Sequence, residues 1–145
     1  MRKLVLPAVG AGLCALILAA ASLAAAQKTV WTAALSSGQE VPKQVVKNTA
    51  AHGLFKGTVS GGKLKWRLTF AKLTGAATAA HIHTGARGKS GNVLIPLCAL
   101  CHSGVTGTAT LSATALNDFK KHLLYVNVHT AKNPAGEIRG QLARG

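Results

Sequence analysis

Carboxylates are scarce in this chain: Glu40, Asp118 and Glu137 are its three acids in 145 residues, against 17 lysines and arginines. They are far apart in sequence. That argues against a calcium cage, which gathers several oxygen ligands on one loop, and against a hydrolase built on paired carboxylates. Phosphate-cradling glycine loops and nucleophile-elbow motifs are also missing. No heptad pattern, long amphipathic helix or internal repeat is present beyond two histidine-bearing strands. What these absences leave is a binding or structural role, with enzyme activity less expected.

The excess of base is what the chain has instead. Its formal net charge is +14, enough to draw it to anionic partners such as phospholipid headgroups or acidic polysaccharide. The charge could equally serve solubility alone. Nucleic acid is not expected, because the cations are scattered and the six aromatic residues read as core, not as a stacking row. Met1-Arg2-Lys3 is followed by an apolar, Ala-rich run, Leu4 to Ala26, ending in Ala24-Ala25-Ala26. This predicts a signal peptide over 1–26 and a mature domain over 27–145, secreted or periplasmic, with no transmembrane segment after cleavage. Retention of the run as an anchor is the competing reading.

The mature part reads as one small domain of short strands. Lys63 to Phe70 alternates most cleanly, with Leu64, Trp66, Leu68 and Phe70 inward. Thr29–Leu35, His52–Ser60, Gly75–His83, Val93–Leu97 and Thr108–Leu111 give further strands, and Pro96 places its own at an edge. Cys98 to Gly107 reads as irregular, and Ala113 to His122 as the one helical stretch. Leu123 to Leu142 predicts a closing hairpin around Asn133-Pro134-Ala135-Gly136. Its first strand looks half-buried, with Leu124, Val126 and Val128 on one side and Tyr125, Asn127 and His129 on the other. About eight strands in this order predict an all-β fold, an antiparallel Greek-key sandwich or barrel.

Three constellations carry chemistry. His81 and His83, at i and i+2 on a strand, share a face. His129 occupies the polar face of another strand, and three imidazoles would suit Cu(II) or Zn(II). The alternative is that these rings bond loop carbonyls and fasten the ends of the sandwich. Glu137 and Arg139 share a face and could form an ion pair, bond loop carbonyls or meet an anion. Cys98-Ala99-Leu100-Cys101-His102 has the c-type haem attachment pattern. A local disulfide is the simpler expectation in an exported chain, and metal-binding or redox thiols are a third option.

Several segments together resemble the CHRD (chordin-type) domain family, as a single-domain, exported member of bacterial type. They are Leu35-Ser36-Ser37-Gly38-Gln39-Glu40-Val41-Pro42, Ala80 to Gly85, Gly107 to Leu111, and the closing Tyr125 to Thr130 and Gly136 to Leu142. The resemblance implies an exported β-domain acting as a non-enzymatic module of undefined ligand, with no cofactor, and cysteines near Cys98 and Cys101 in other members favour the disulfide. The plan is also similar to copper/zinc superoxide dismutase, which would make His81, His83 and His129 copper-type ligands in a redox protein. No counterpart of that enzyme's bridged zinc site is evident.

Overall fold

The structure is a computed structural model that describes residues 27–43 and 49–145. The predicted signal peptide lies outside the described residues. The strands are β1 (Thr29–Ser36), β2 (His52–Ser60), β3 (Lys63–Ala71), β4 (Ala77–Thr84), β5 (Val93–Cys101), β6 (Val105–Thr110), β7 (Leu124–Thr130), β8 (Ile138–Gln141) and β9 (Ala143–Arg144). Among the described residues a single 3-10 turn, Ser37–Gln39, follows β1, and one helix, α1 (Ala113–Lys120), precedes β7. Every pairing is antiparallel, in the order β5-β4-β7-β8-β1-β2-β3-β6, with β9 beside β1. The two ends of this path, β5 and β6, come alongside each other, so the sheet nearly closes into a barrel. Strands β3, β6, β5 and β4 then form a Greek key.

Alternation sets the barrel's inside. On β3, Leu64, Trp66 and Leu68 are buried while Lys63, Lys65 and Arg67 are exposed. Phe55, Ile82, Leu124, Val126, Val128, Ile138 and Leu142 complete the centre of the core. Such side chains stabilise the fold by about 1.5–3 kcal/mol each when fully buried. Close packing also fixes where glycine is required. Gly107 lies opposite Trp66, and a Cβ there would run into the indole ring. We expect Gly107→Ala to lower unfolding stability by roughly 1–3 kcal/mol in urea denaturation, the usual cost of overpacking. A loss below 0.5 kcal/mol would show that the indole moves aside freely.

Helix α1 closes one end of the barrel. Ser112 caps it by accepting from the Ala115 amide at 3.1 Å. Its buried face, Ala115 and Phe119, reaches the core, with the Phe119 ring 5.2 Å from that of Trp31. Two local readings of the sequence need correction. The segment from Cys98 is not irregular, because β5 continues to Cys101 and β6 begins at Val105. Backbone pairing with β4, through Ala80↔Cys98 and Ala77↔Cys101, overrides the weak alternation there. Strand β7 is not half-buried but buried at all seven positions. It pairs on both sides, with β4 and β8, and loops cover its polar face.

Candidate functional site

The covered polar face belongs to three adjacent strands. Strand β4 presents His81 and His83, β7 presents Tyr125, Asn127 and His129, and β8 presents Arg139 and Gln141. The register is His83↔Tyr125, His81↔Asn127 and Ala79↔His129 between β4 and β7, and Asn127↔Arg139 and Tyr125↔Gln141 between β7 and β8. His129 therefore stands diagonal to His81, within reach of an imidazole.

The three histidines converge. Their ring centroids are 5.0 Å apart for His81 and His129, 5.5 Å for His81 and His83, and 6.0 Å for His83 and His129. One nitrogen from each ring falls within 4.8 Å of the other two. The chain itself sets two tautomers. His129 Nδ1 lies 3.0 Å from the Pro134 carbonyl and His83 Nδ1 lies 3.1 Å from that of Gly91. A carbonyl only accepts, so each Nδ1 carries the hydrogen, and each neutral ring keeps its lone pair on Nε2. His129 Nε2 faces His81 Nδ1 at 3.1 Å. His83 Nε2 is buried with no hydrogen-bond partner among the described residues, which leaves a desolvated acceptor unused.

Electrostatics keep these rings neutral. Burial lowers the pKa of all three, and that of His129 falls to about 4 despite its bond to Pro134. Neutral rings with carbonyl-anchored Nδ1–H groups have the protonation state and orientation that a metal ligand needs. Two nitrogens on one tetrahedral ion stand about 3.3 Å apart, close to the His81–His129 distance. His81 is the most exposed of the three.

A stack runs from this cluster to the next strand. The His83 ring lies on Tyr125, with centroids 4.9 Å apart and planes 8° from parallel. The Arg139 guanidinium carbon sits 3.4 Å from the Tyr125 ring centroid, a cation–π contact. Arg139 also donates to the Lys89 carbonyl at 2.7 Å. The loop that supplies Lys89 and Gly91 is closed by Thr84 N–H to Asn92 O at 3.0 Å and Gly85 N–H to Leu123 O at 2.7 Å. Position 91 admits no side chain, since a Cβ would meet the Thr84 carbonyl. One short loop thus holds both His83 and Arg139.

Glu137 and Arg139 do not pair. The Glu137 carboxylate accepts from the Thr74 amide at 2.6 Å, the Thr74 and Thr130 hydroxyls at 2.7 Å each, and Asn133 Nδ2 at 3.1 Å. Burial raises its pKa, but those donors outweigh it and hold the carboxyl below its usual range. The acid whose charge reaches Arg139 is Glu40, near the 3-10 turn, which takes a 2.7 Å hydrogen bond from Asn127. Sequence reasoning named neither Glu40 nor Asn127 as a site residue. Asn127 was signalled by its i−2 spacing from His129; Glu40 stood only inside the Leu35 to Pro42 segment of the family resemblance, with its partner 87 positions away.

Cys98 and Cys101 are joined in a disulfide at the end of β5. With each sulfur bonded to the other, neither is a thiol for haem attachment, and His102 is exposed. Among the described residues no helix is long and apolar enough to cross a membrane.

Fold and site together define an antiparallel β-barrel domain with a histidine-bearing polar layer beneath its loops. The family model for the CHRD domain matches residues 31–142, and the chain belongs to that family. No curated protein and no solved structure matches it.

Proposed function

We propose that this chain is an exported, non-enzymatic binding domain, and that its ligand is a Cu(II) or Zn(II) ion held by His81, His83 and His129. The observation that carries the reading is the buried Nε2 of His83, which has no partner among the described residues. It lies in a cluster where its own tautomer and that of His129 are set by loop carbonyls. Histidines that merely fastened loops would be satisfied by those carbonyl bonds. Here each anchored ring has a second nitrogen: that of His129 faces His81 Nδ1 at 3.1 Å, and one nitrogen of each of the three rings lies within 4.8 Å of the others. Three imidazoles favour late transition metals over calcium or magnesium. The carboxylates nearby, Glu40 and Glu137, are engaged with Asn127 and with Thr74, Thr130 and Asn133. A binding site therefore needs no further group, whereas a reaction centre would.

Titration of the chelator-treated mature domain by calorimetry, with metal content measured afterwards, tests this. One ion per chain is expected. His83→Ala and His129→Ala should each weaken binding at least tenfold while circular dichroism still shows the fold. His102→Ala, at an exposed position, should leave affinity unchanged. No stoichiometric uptake of either metal, or equal affinity in His83→Ala, would end the proposal.

A further inference from the structure

A cleft of about 350 Å³ opens beside the polar layer, separate from the three histidines. Among the described residues, Lys43, Arg87 and Arg139 bring three cations to its walls, and Glu40 is the one acid. The volume falls in the range of small-ligand sites. Arg139 is only 3% exposed. A buried guanidinium is costly without a counter-charge, yet Glu40 is a poor one. Burial pushes the Glu40 carboxyl up to about 7, against the Asn127 hydrogen bond and the charge of Arg139. Near neutral pH the cleft therefore carries at least two uncompensated positive charges.

From this cleft we infer a second binding site, for the carboxylate of a sugar acid such as a uronate unit of an acidic polysaccharide. Three features select that ligand among anions. The guanidinium of Arg139 is held over the Tyr125 ring and fixed at one nitrogen by the Lys89 carbonyl, a positioned fork suited to a planar carboxylate. Gln39 has its amide nitrogen committed to the Ala34 carbonyl and the Ser36 hydroxyl. Its oxygen is thereby turned the other way, as an acceptor for a sugar hydroxyl. A part-protonated Glu40 tolerates a monoanion and a hydroxyl better than a doubly charged phosphate. Among the described residues Val41 is the one branched aliphatic side chain in the lining, so the acyl part of a lipid finds little to cover there. The inference goes beyond the metal reading and does not depend on it.

The test uses the mature domain with chelator present, so that metal binding plays no part. Trigalacturonate is titrated by calorimetry at 0.15 M salt, beside neutral trigalactose, inorganic phosphate and phosphatidylglycerol vesicles. Saturable binding of trigalacturonate is expected, with at least tenfold loss in Arg87→Gln and in Lys43→Gln. Both positions are exposed, so folding should survive; thermal melts check it. Lys65→Gln, on the outer face of β3, is the control for general charge attraction and should change affinity less than twofold. An equal loss in Lys65→Gln, or no loss in Arg87→Gln, would overturn the site. Tighter binding of phosphate or of vesicles than of trigalacturonate would overturn the sugar-acid assignment.

Discussion

Replacing Glu137 by alanine is expected to cost about 3–5 kcal/mol of unfolding stability at pH 7, the largest single effect in this domain. The carboxylate is fully buried and satisfies four donors at once, from Thr74, Thr130 and Asn133. Thr74 lies in the connection between β3 and β4, while Thr130 and Asn133 belong to the β7–β8 hairpin. One side chain thus ties a crossover to the turn beyond His129. Alanine would strand the donors in a space too small for full resolvation. Glu137→Gln tests the charge separately: it keeps an acceptor but turns an NH2 group toward donors, so it should lose a large part of the same energy. Because the folded pKa lies below the unfolded value, this stability is present above the unfolded pKa and is lost as pH falls through the folded one. Urea denaturation at pH 7 measures it. A loss under 1 kcal/mol in Glu137→Ala would mean that the donors find other partners.

The same residue shows what the sequence made legible and what it did not. Strand positions follow from alternation, which is a local property: Lys63 to Phe70 predicts β3 to within a residue, and His52 to Ser60 coincides with β2. The i and i+2 spacing of His81 and His83 likewise placed both rings on one face. That β7 would stand beside β4, bringing His129 to them, could be raised only as a condition, because strand adjacency is a property of topology. For Glu137 and Arg139 the shared face left open an ion pair, bonds from Arg139 to loop carbonyls, or an anion. The fold sends Glu137 to Thr74, and Arg139 to the Lys89 loop carbonyl and the Tyr125 ring. Buried polar groups in this domain are satisfied across long separations, 87 residues for Glu40 and Asn127, and no period in the sequence encodes those. The helix was visible as a local stretch, Ala113 to His122, while its cap at Ser112 and its buried pair, Ala115 and Phe119, came from the structure.

Glu40 supplies the second large effect, and its sign is opposite to that of Glu137. Burial pushes its folded pKa from 4.5 up to about 7, so between those values the folded state holds a proton that the unfolded chain has released. Stability therefore falls as pH rises through this window, and the full cost, on the order of 2–3 kcal/mol, is present above it. His129 acts in the other direction. Its folded pKa is depressed from 6.5 to about 4, so stability is complete above 6.5 and is lost as pH falls toward 4. His81 and His83 share that direction. In the metal-free protein the two effects oppose each other, and the profile between pH 4.5 and 7 should be shallow. Glu40→Gln removes one of them while keeping an oxygen for the Asn127 amide. Relative to the parent chain, it should gain on the order of 2–3 kcal/mol between pH 4.5 and pH 8. Its own stability should then decline steadily as pH drops below 6.5, exposing the histidine contribution alone. Packing differences between the two side chains shift the whole curve but do not tilt it. Chemical denaturation with chelator present, run at pH 4.5, 6 and 8, therefore isolates the ionisation. A difference between Glu40→Gln and the parent that stays constant with pH would show that Glu40 titrates normally. The buried Arg139 would then have a full counter-charge inside the protein, and the cleft beside it would have correspondingly less need of an anion.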